Sequence, residues 1–87
     1  MALKLKFYSD PGHGWLAVKK KLLYDMGLKD KITVYSYMKG KTAYLEEDLD
    51  AGLLLNALKD AGIAFTLVEK NTDRYSPIRN YSHYMEQ

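Results

Sequence analysis

The sequence predicts an α+β fold: a single small domain of order β-β-α-β-β-α-β, its antiparallel or mixed sheet carrying two helices on one face and a C-terminal segment packed over it. Three observations predict this. Apolar residues alternate at period two in short runs, two other runs carry helical spacing, and glycines stand where the helical runs stop. A chain of 87 residues has room for one domain. Residues 1–69 read as the α+β body and residues 70–87 as a non-periodic C-terminal segment.

Leu3, Leu5 and Phe7 alternate with Lys4, Lys6 and Tyr8, the pattern of a half-buried first strand. Ser9-Asp10-Pro11-Gly12-His13-Gly14 is dense in turn formers, and Trp15 to Val18 returns as a second strand. Lys19 to Met26 reads as a helix with Leu22, Leu23 and Met26 on its inner face and Gly27 at its C-terminal cap. Ile32 to Met38 is β-branched and aromatic, so a third strand, with Thr33, Tyr35 and Tyr37 on one side and Ile32, Val34, Ser36 and Met38 on the other. The Met38-Lys39-Gly40-Lys41 turn leads to a fourth strand over Thr42 to Leu45.

Glu46-Glu47-Asp48-Leu49-Asp50 reads as the start of a second helix. Carboxylates suit the positive end of a helix, and Asp48 is placed to cap it. Ala51, Leu54, Leu55, Leu58 and Ala61 form its apolar stripe, and Gly62 ends it. Ile63 to Val68 is a fifth strand. Beyond it, Tyr75, Ile78, Tyr81 and Tyr84 recur about every three residues, too aromatic a pattern for a solvated tail.

The composition excludes several function classes. Hydrophobic residues at 47% and charged residues at 28% are ordinary for a globular domain, so disorder is a poor reading. The absence of cysteine removes disulfide scaffolds, thiolate zinc sites and thiol nucleophiles, and fits a cytoplasmic protein. His13 and His83 are too few for a metal cage, and no cofactor is expected. No apolar run reaches the roughly 20 residues of a membrane span, and the alternating start is unlike a signal peptide, so no membrane partner is expected. Charge is uneven. Residues 1–45 hold nine Lys against three Asp, while residues 46–87 hold four basic side chains against eight carboxylates. A basic half suits phosphates or an acidic protein surface, although folding can mix the charges again.

Two non-periodic segments carry the candidate ligand site. In Asp10-Pro11-Gly12-His13-Gly14-Trp15, glycines on both sides of His13 permit a positive-φ nest of backbone N–H groups that would hold an anion. The plainer reading is a tight hairpin turn capped by Asp10 with His13 exposed. Arg74 and Arg79 are the sole arginines, and their planar forks suit phosphate or carboxylate. Their plainer role is a salt bridge tying the tail to Glu46, Glu47 or Asp48. Tyr8, Ser76 and Tyr81 complete this candidate surface. A second surface is the open sheet face, where Lys4, Lys6, Tyr35, Tyr37 and Tyr44 offer rings and ammonium groups to nucleic acid. The same residues are what a water-facing strand prefers.

Phe7-Tyr8-Ser9-Asp10-Pro11-Gly12-His13-Gly14-Trp15-Leu16-Ala17-Val18 resembles the opening of a group of short, uncharacterised phage and prophage proteins. Ala43-Tyr44-Leu45-Glu46-Glu47-Asp48 and Ser76-Pro77-Ile78-Arg79-Asn80-Tyr81 are similar to it as well, so the resemblance spans most of the chain. It implies a setting, the host cytoplasm, and no particular chemistry. Proteins of this kind often act by binding a host enzyme, a signal or a nucleic acid.

The sequence reading that follows is a non-enzymatic, phage-derived binding protein that antagonises host defence through an anionic nucleotide-like ligand or a host protein. One alternative is a nucleic-acid binder using the Tyr/Lys sheet face. The other is a small phosphoryl-transfer or hydrolytic enzyme built on His13, Asp10 and Arg79, which no nucleophile elbow or carboxylate dyad supports. Eight tyrosines also leave room for a homodimer.

Overall fold

Strands β1 (Leu3–Ser9) and β2 (Gly14–Lys19) pair as an antiparallel hairpin. The structure, a computed structural model describing residues 2–85, continues through α1 (Lys20–Asp25), β3 (Tyr37–Lys39), β4 (Thr42–Glu46), α2 (Asp50–Asp60), β5 (Phe65–Asn71) and β6 (Ser82–His83). The strands form one mixed sheet of order β5-β1-β2-β4-β3-β6, in which only β5 and β1 run parallel. Leu23 of α1 and Ala51, Leu54 and Leu58 of α2 pack on Leu5, Leu16, Val18, Ala43 and Leu45, so both helices cover one face. The α+β class and its two helices on one side match the sequence pattern.

Both helices stop as their glycines dictate. Gly27 and Gly62 have φ of 72°, which an L side chain rarely adopts. Beyond them Leu28 N–H donates to the Leu23 carbonyl and Ile63 N–H to the Leu58 carbonyl, each a buried or half-buried apolar pair closing a Schellman cap. This cap uses Ile63, so β5 begins at Phe65 and runs on to Asn71.

The expected third strand is shorter than its composition suggests. Residues 34–36 turn, and pairing begins only at Tyr37. The cause is Asp50, fully buried at the first turn of α2. Its Oδ2 accepts from Thr33 N–H at 3.0 Å, Thr33 Oγ1 at 2.7 Å and Ser36 Oγ at 2.5 Å. Side-chain competition of this kind pulls the backbone out of the ladder. The expected face assignment fails with it: Ser36 is buried, whereas Val34 and Tyr35 are exposed. The acidic stretch also differs from expectation. Glu46 still belongs to β4, and Asp48 does not cap α2, whose N-cap Leu49 has no side-chain cap bond.

β5 and β6 lie at opposite edges of the sheet, so the chain between them must cross it. It crosses on the face away from the helices. Ile78 and Tyr81 share a cleft with Tyr8 and Tyr44, and the Tyr81 and Tyr44 rings are 5.1 Å apart. Beneath this strap Trp15 and Ile78 are buried, outside the main core cluster. The strap then rounds the far edge. Tyr84 N–H donates to the Ser36 carbonyl, its hydroxyl donates to the Lys29 carbonyl, and its ring enters the helical-side core.

Candidate functional site

The register of the strands sorts the strap-side face into rows. Tyr8 pairs with Trp15 and Trp15 with Glu46. Lys6 pairs with Ala17, Ala17 with Tyr44, Tyr44 with Tyr37 and Tyr37 with His83. Lys19 pairs with Thr42 and Thr42 with Lys39. From the strap outward, the face passes from a covered aromatic row to a half-buried aromatic row to a cationic one.

The covered row is organised by Asp10. The β1–β2 turn closes with Asp10 N–H donating to the His13 carbonyl at 2.9 Å. The Asp10 side chain, fully buried, then takes Gly12 N–H and His13 N–H at 3.0 Å on Oδ1 and Ser76 N–H at 2.9 Å on Oδ2. Arg79 completes it, with Nε 2.6 Å from Oδ2 and Nη2 2.8 Å from Oδ1. The guanidinium first, and the three backbone donors after it, hold the Asp10 carboxyl far below the usual carboxylate range; Arg79 is raised in turn by Asp10.

This overturns two sequence expectations. The N–H groups of Gly12 and His13 do face an anion, but it is the protein's own carboxylate. Neither Gly12 nor Gly14 has positive φ; positive values occur at Gly27, Gly40 and Gly62. Close approach, not backbone conformation, favours glycine at both positions and requires it at Gly14. A Cβ at Gly12 would sit 2.8 Å from Arg79 Nη2, and one at Gly14 would sit 2.5 Å from Phe7 Cζ.

Arg79 also stacks between rings, its Cζ 5.6 Å from the Trp15 ring and 4.6 Å from that of Tyr75. Exposed His13 lies 6.0 Å from Trp15. His13, Trp15, Tyr35, Tyr37, Glu46, Asp48 and Arg79 line a cleft of about 340 Å³. The structure thus brings His13, Trp15, Arg79 and Ser76 to the same corner. Arg74 is exposed and lines none of the clefts described here. Glu46, Asp48 and Tyr75 were missed as site residues. Glu46 was legible in the Thr42, Tyr44, Glu46 alternation, and Tyr75 in its four-residue spacing from Arg79.

The two rows beyond the covered one form a different site. Lys4, Lys6, Lys19, Tyr8, Thr42 and Tyr44 help to line a groove of about 490 Å³ whose lining includes no carboxylate. Lys4, Lys6 and Lys19 form no ion pair among the described residues. Lys39 stands nearby over the Tyr81 ring at 4.8 Å. Burial, then Tyr81 and Tyr8, raise the Tyr44 hydroxyl above its ordinary range, so it remains a donor. Tyr37 continues the row and stacks on His83 at 4.9 Å, while His83 Nδ1–H donates to the Val34 carbonyl. Of the residues expected on this face, Lys4, Lys6, Tyr37 and Tyr44 are on it. Tyr35 is in the loop that Asp50 shapes.

Among the described residues no group of three or more His, Asp and Glu is placed to hold a metal ion, and no helix is long and apolar enough to cross a membrane. No protein-family model, curated protein or solved structure is significantly similar to this chain.

Proposed function

We propose that this protein is a non-enzymatic binding protein whose ligand is an anionic strand lying on the lysine-and-tyrosine groove of its sheet. The observation that carries this reading is that Lys4, Lys6 and Lys19, without an ion pair among the described residues, share with Tyr8 and Tyr44 one groove whose described lining holds no carboxylate. Ammonium groups in a row suit phosphates, and the Tyr44–Tyr37 row beside them offers ring faces to unstacked bases. The Arg79 corner supports an anion less well. One edge of its guanidinium, with two of its N–H donors, already holds Asp10, and Glu46 and Asp48 make its cleft acidic.

Gel shifts with single- and double-stranded DNA and RNA at two salt concentrations test the proposal. Binding should favour single strands and weaken steeply with salt. Absence of any shift at low salt ends it.

A second reading rests on a separate observation. Tyr35 and Tyr75, 70% and 77% exposed, flank the Arg79 cleft. Tyr and Arg anchors of this kind suit a protein partner. The resemblance of residues 7–18 to short phage proteins supports a host protein in the cytoplasm as that partner and antagonism of host defence as the outcome. Titration of candidate host proteins against Tyr75→Ala and Tyr35→Ala tests it, and equal affinity in wild type and variants rejects it.

A further inference from the structure

The two edges of the sheet are unlike. One ends in β6, only two residues long. The other is β5, seven residues in unbroken parallel register with β1, with no proline and no bulge. Neither the helices nor the strap covers it, and Leu67 and Val68 are 44% and 38% exposed. Strand edges of this length are normally blunted.

The hydrogen bonds at both ends of the β1–β5 ladder fix which groups of β5 are unused. Leu3 N–H donates to the Ala64 carbonyl at 2.9 Å, and Thr72 N–H donates to the Ser9 carbonyl at 3.0 Å. In a parallel ladder this alternation turns the even-numbered residues of β5 toward β1. The N–H and C=O groups of Phe65, Leu67, Glu69 and Asn71 therefore point outward, away from the sheet.

We infer that β5 is a self-association edge and that its partner is β5 of a second copy of this chain, paired antiparallel about Val68. In that register Leu67 faces Glu69 of the second copy and Phe65 faces Asn71 of the second copy, so every outward backbone group of the strand is paired. Thr66 faces Lys70 of the second copy, and the two exposed Val68 side chains meet on the two-fold axis. No like charges stand directly opposite. A step of two residues one way would set Glu69 against its own copy, and a step the other way leaves Asn71 unpaired by the strand. The strand is thus complementary to itself in one register. A two-fold axis normal to the sheet also joins the strap-side faces of both copies into one continuous face.

Sedimentation velocity over a concentration series to about 1 mM, a ceiling below which a specific weak dimer is resolved, is paired with amide exchange by NMR. The expected result is a concentration-dependent dimer in which the Leu67 and Glu69 amides gain protection as dimer forms, while the Thr66, Val68 and Lys70 amides are protected throughout. Val68→Lys, which puts two ammonium groups opposite each other, should return the protein to monomer with Thr66 and Lys70 protection intact. Leu67→Pro removes an outward N–H while leaving the β1-facing N–H groups in place, and should do the same. A monomer throughout the series overturns the inference, and so does a dimer in which the Leu67 and Glu69 amides exchange freely.

Discussion

Arg79 reaches back across 69 positions of sequence to grip Asp10 with two parallel hydrogen bonds, and this clasp fastens the strap to the first turn of the sheet. A carboxyl held below its ordinary range contributes stability above the unfolded value, about 3.9, and loses it progressively as pH falls. Asp10→Asn should therefore melt below wild type at neutral pH. The gap should narrow below about pH 4, because there the unfolded wild-type chain takes up a proton at Asp10 that the folded protein does not, and the Asn variant has no such proton to bind. Melting curves over pH 2–7, followed by Trp15 fluorescence, check this. A gap that stays constant with pH would show that the ion pair does not hold the strap.

The two glycines of that turn should respond differently to an added methyl. At Gly14 the new Cβ meets the Phe7 ring at 2.5 Å, and Phe7 is packed against the core, so Gly14→Ala should cost about 1–3 kcal/mol. At Gly12 it meets the far end of Arg79, which can swing aside. Gly12→Ala should leave the core intact while loosening the clasp. Chemical denaturation with parallel NMR of the Arg79 side chain separates the two effects.

Much of this was legible in the sequence because local rules and tertiary packing agree. Leu3, Leu5 and Phe7 alternate, Ala51, Leu54 and Leu58 stripe one helix face, and Gly27 and Gly62 end the helices. What misled was local pattern overruled by distant partners. Ile32 to Met38 looks like a strand until buried Asp50 claims Thr33 and Ser36. Gly12-His13-Gly14 looks like an anion nest until Asp10 fills it. The Asp10–Arg79 pair spans nearly the whole chain, and no periodicity reports a contact at that separation. The lysine groove was half visible: Lys4 and Lys6 declare their face, but Lys19 joins them only through the sheet register.

Asp50 should be the most sensitive polar position. Asp50→Ala strands the Thr33 N–H and the Thr33 and Ser36 hydroxyls in and around the core. Unsatisfied buried donors make the expected loss about 2–4 kcal/mol. Urea denaturation checks the value, and new mobility of Val34 and Tyr35 by NMR relaxation checks the cause.

Core and strap should separate in a second pair. Leu54 is fully buried between helix and sheet, so Leu54→Ala should cost roughly 2–4 kcal/mol and lower protection of the whole β1–β5 ladder. Ile78 is buried only by the strap against the opposite face. Ile78→Ala should raise amide exchange in residues 76–81 while leaving that ladder protected. Equal loss of ladder protection in both variants would mean the strap and the core unfold as one unit.

The lysine groove makes a quantitative claim about salt. For a single strand, each phosphate neutralised contributes about 0.7 to the slope of log affinity against log salt concentration. Lys4→Ala, Lys6→Ala and Lys19→Ala should each reduce that slope by about 0.7 with melting temperature nearly unchanged, since none of the three is ion-paired among the described residues. Tyr44→Ala should instead weaken binding by about 1–3 kcal/mol at every salt concentration with the slope preserved, because stacking is not a counterion effect. Arg74→Ala should leave both quantities alone, as Arg74 lines no part of the groove. Lysine variants that weaken binding without changing the slope would place the phosphates elsewhere on the molecule.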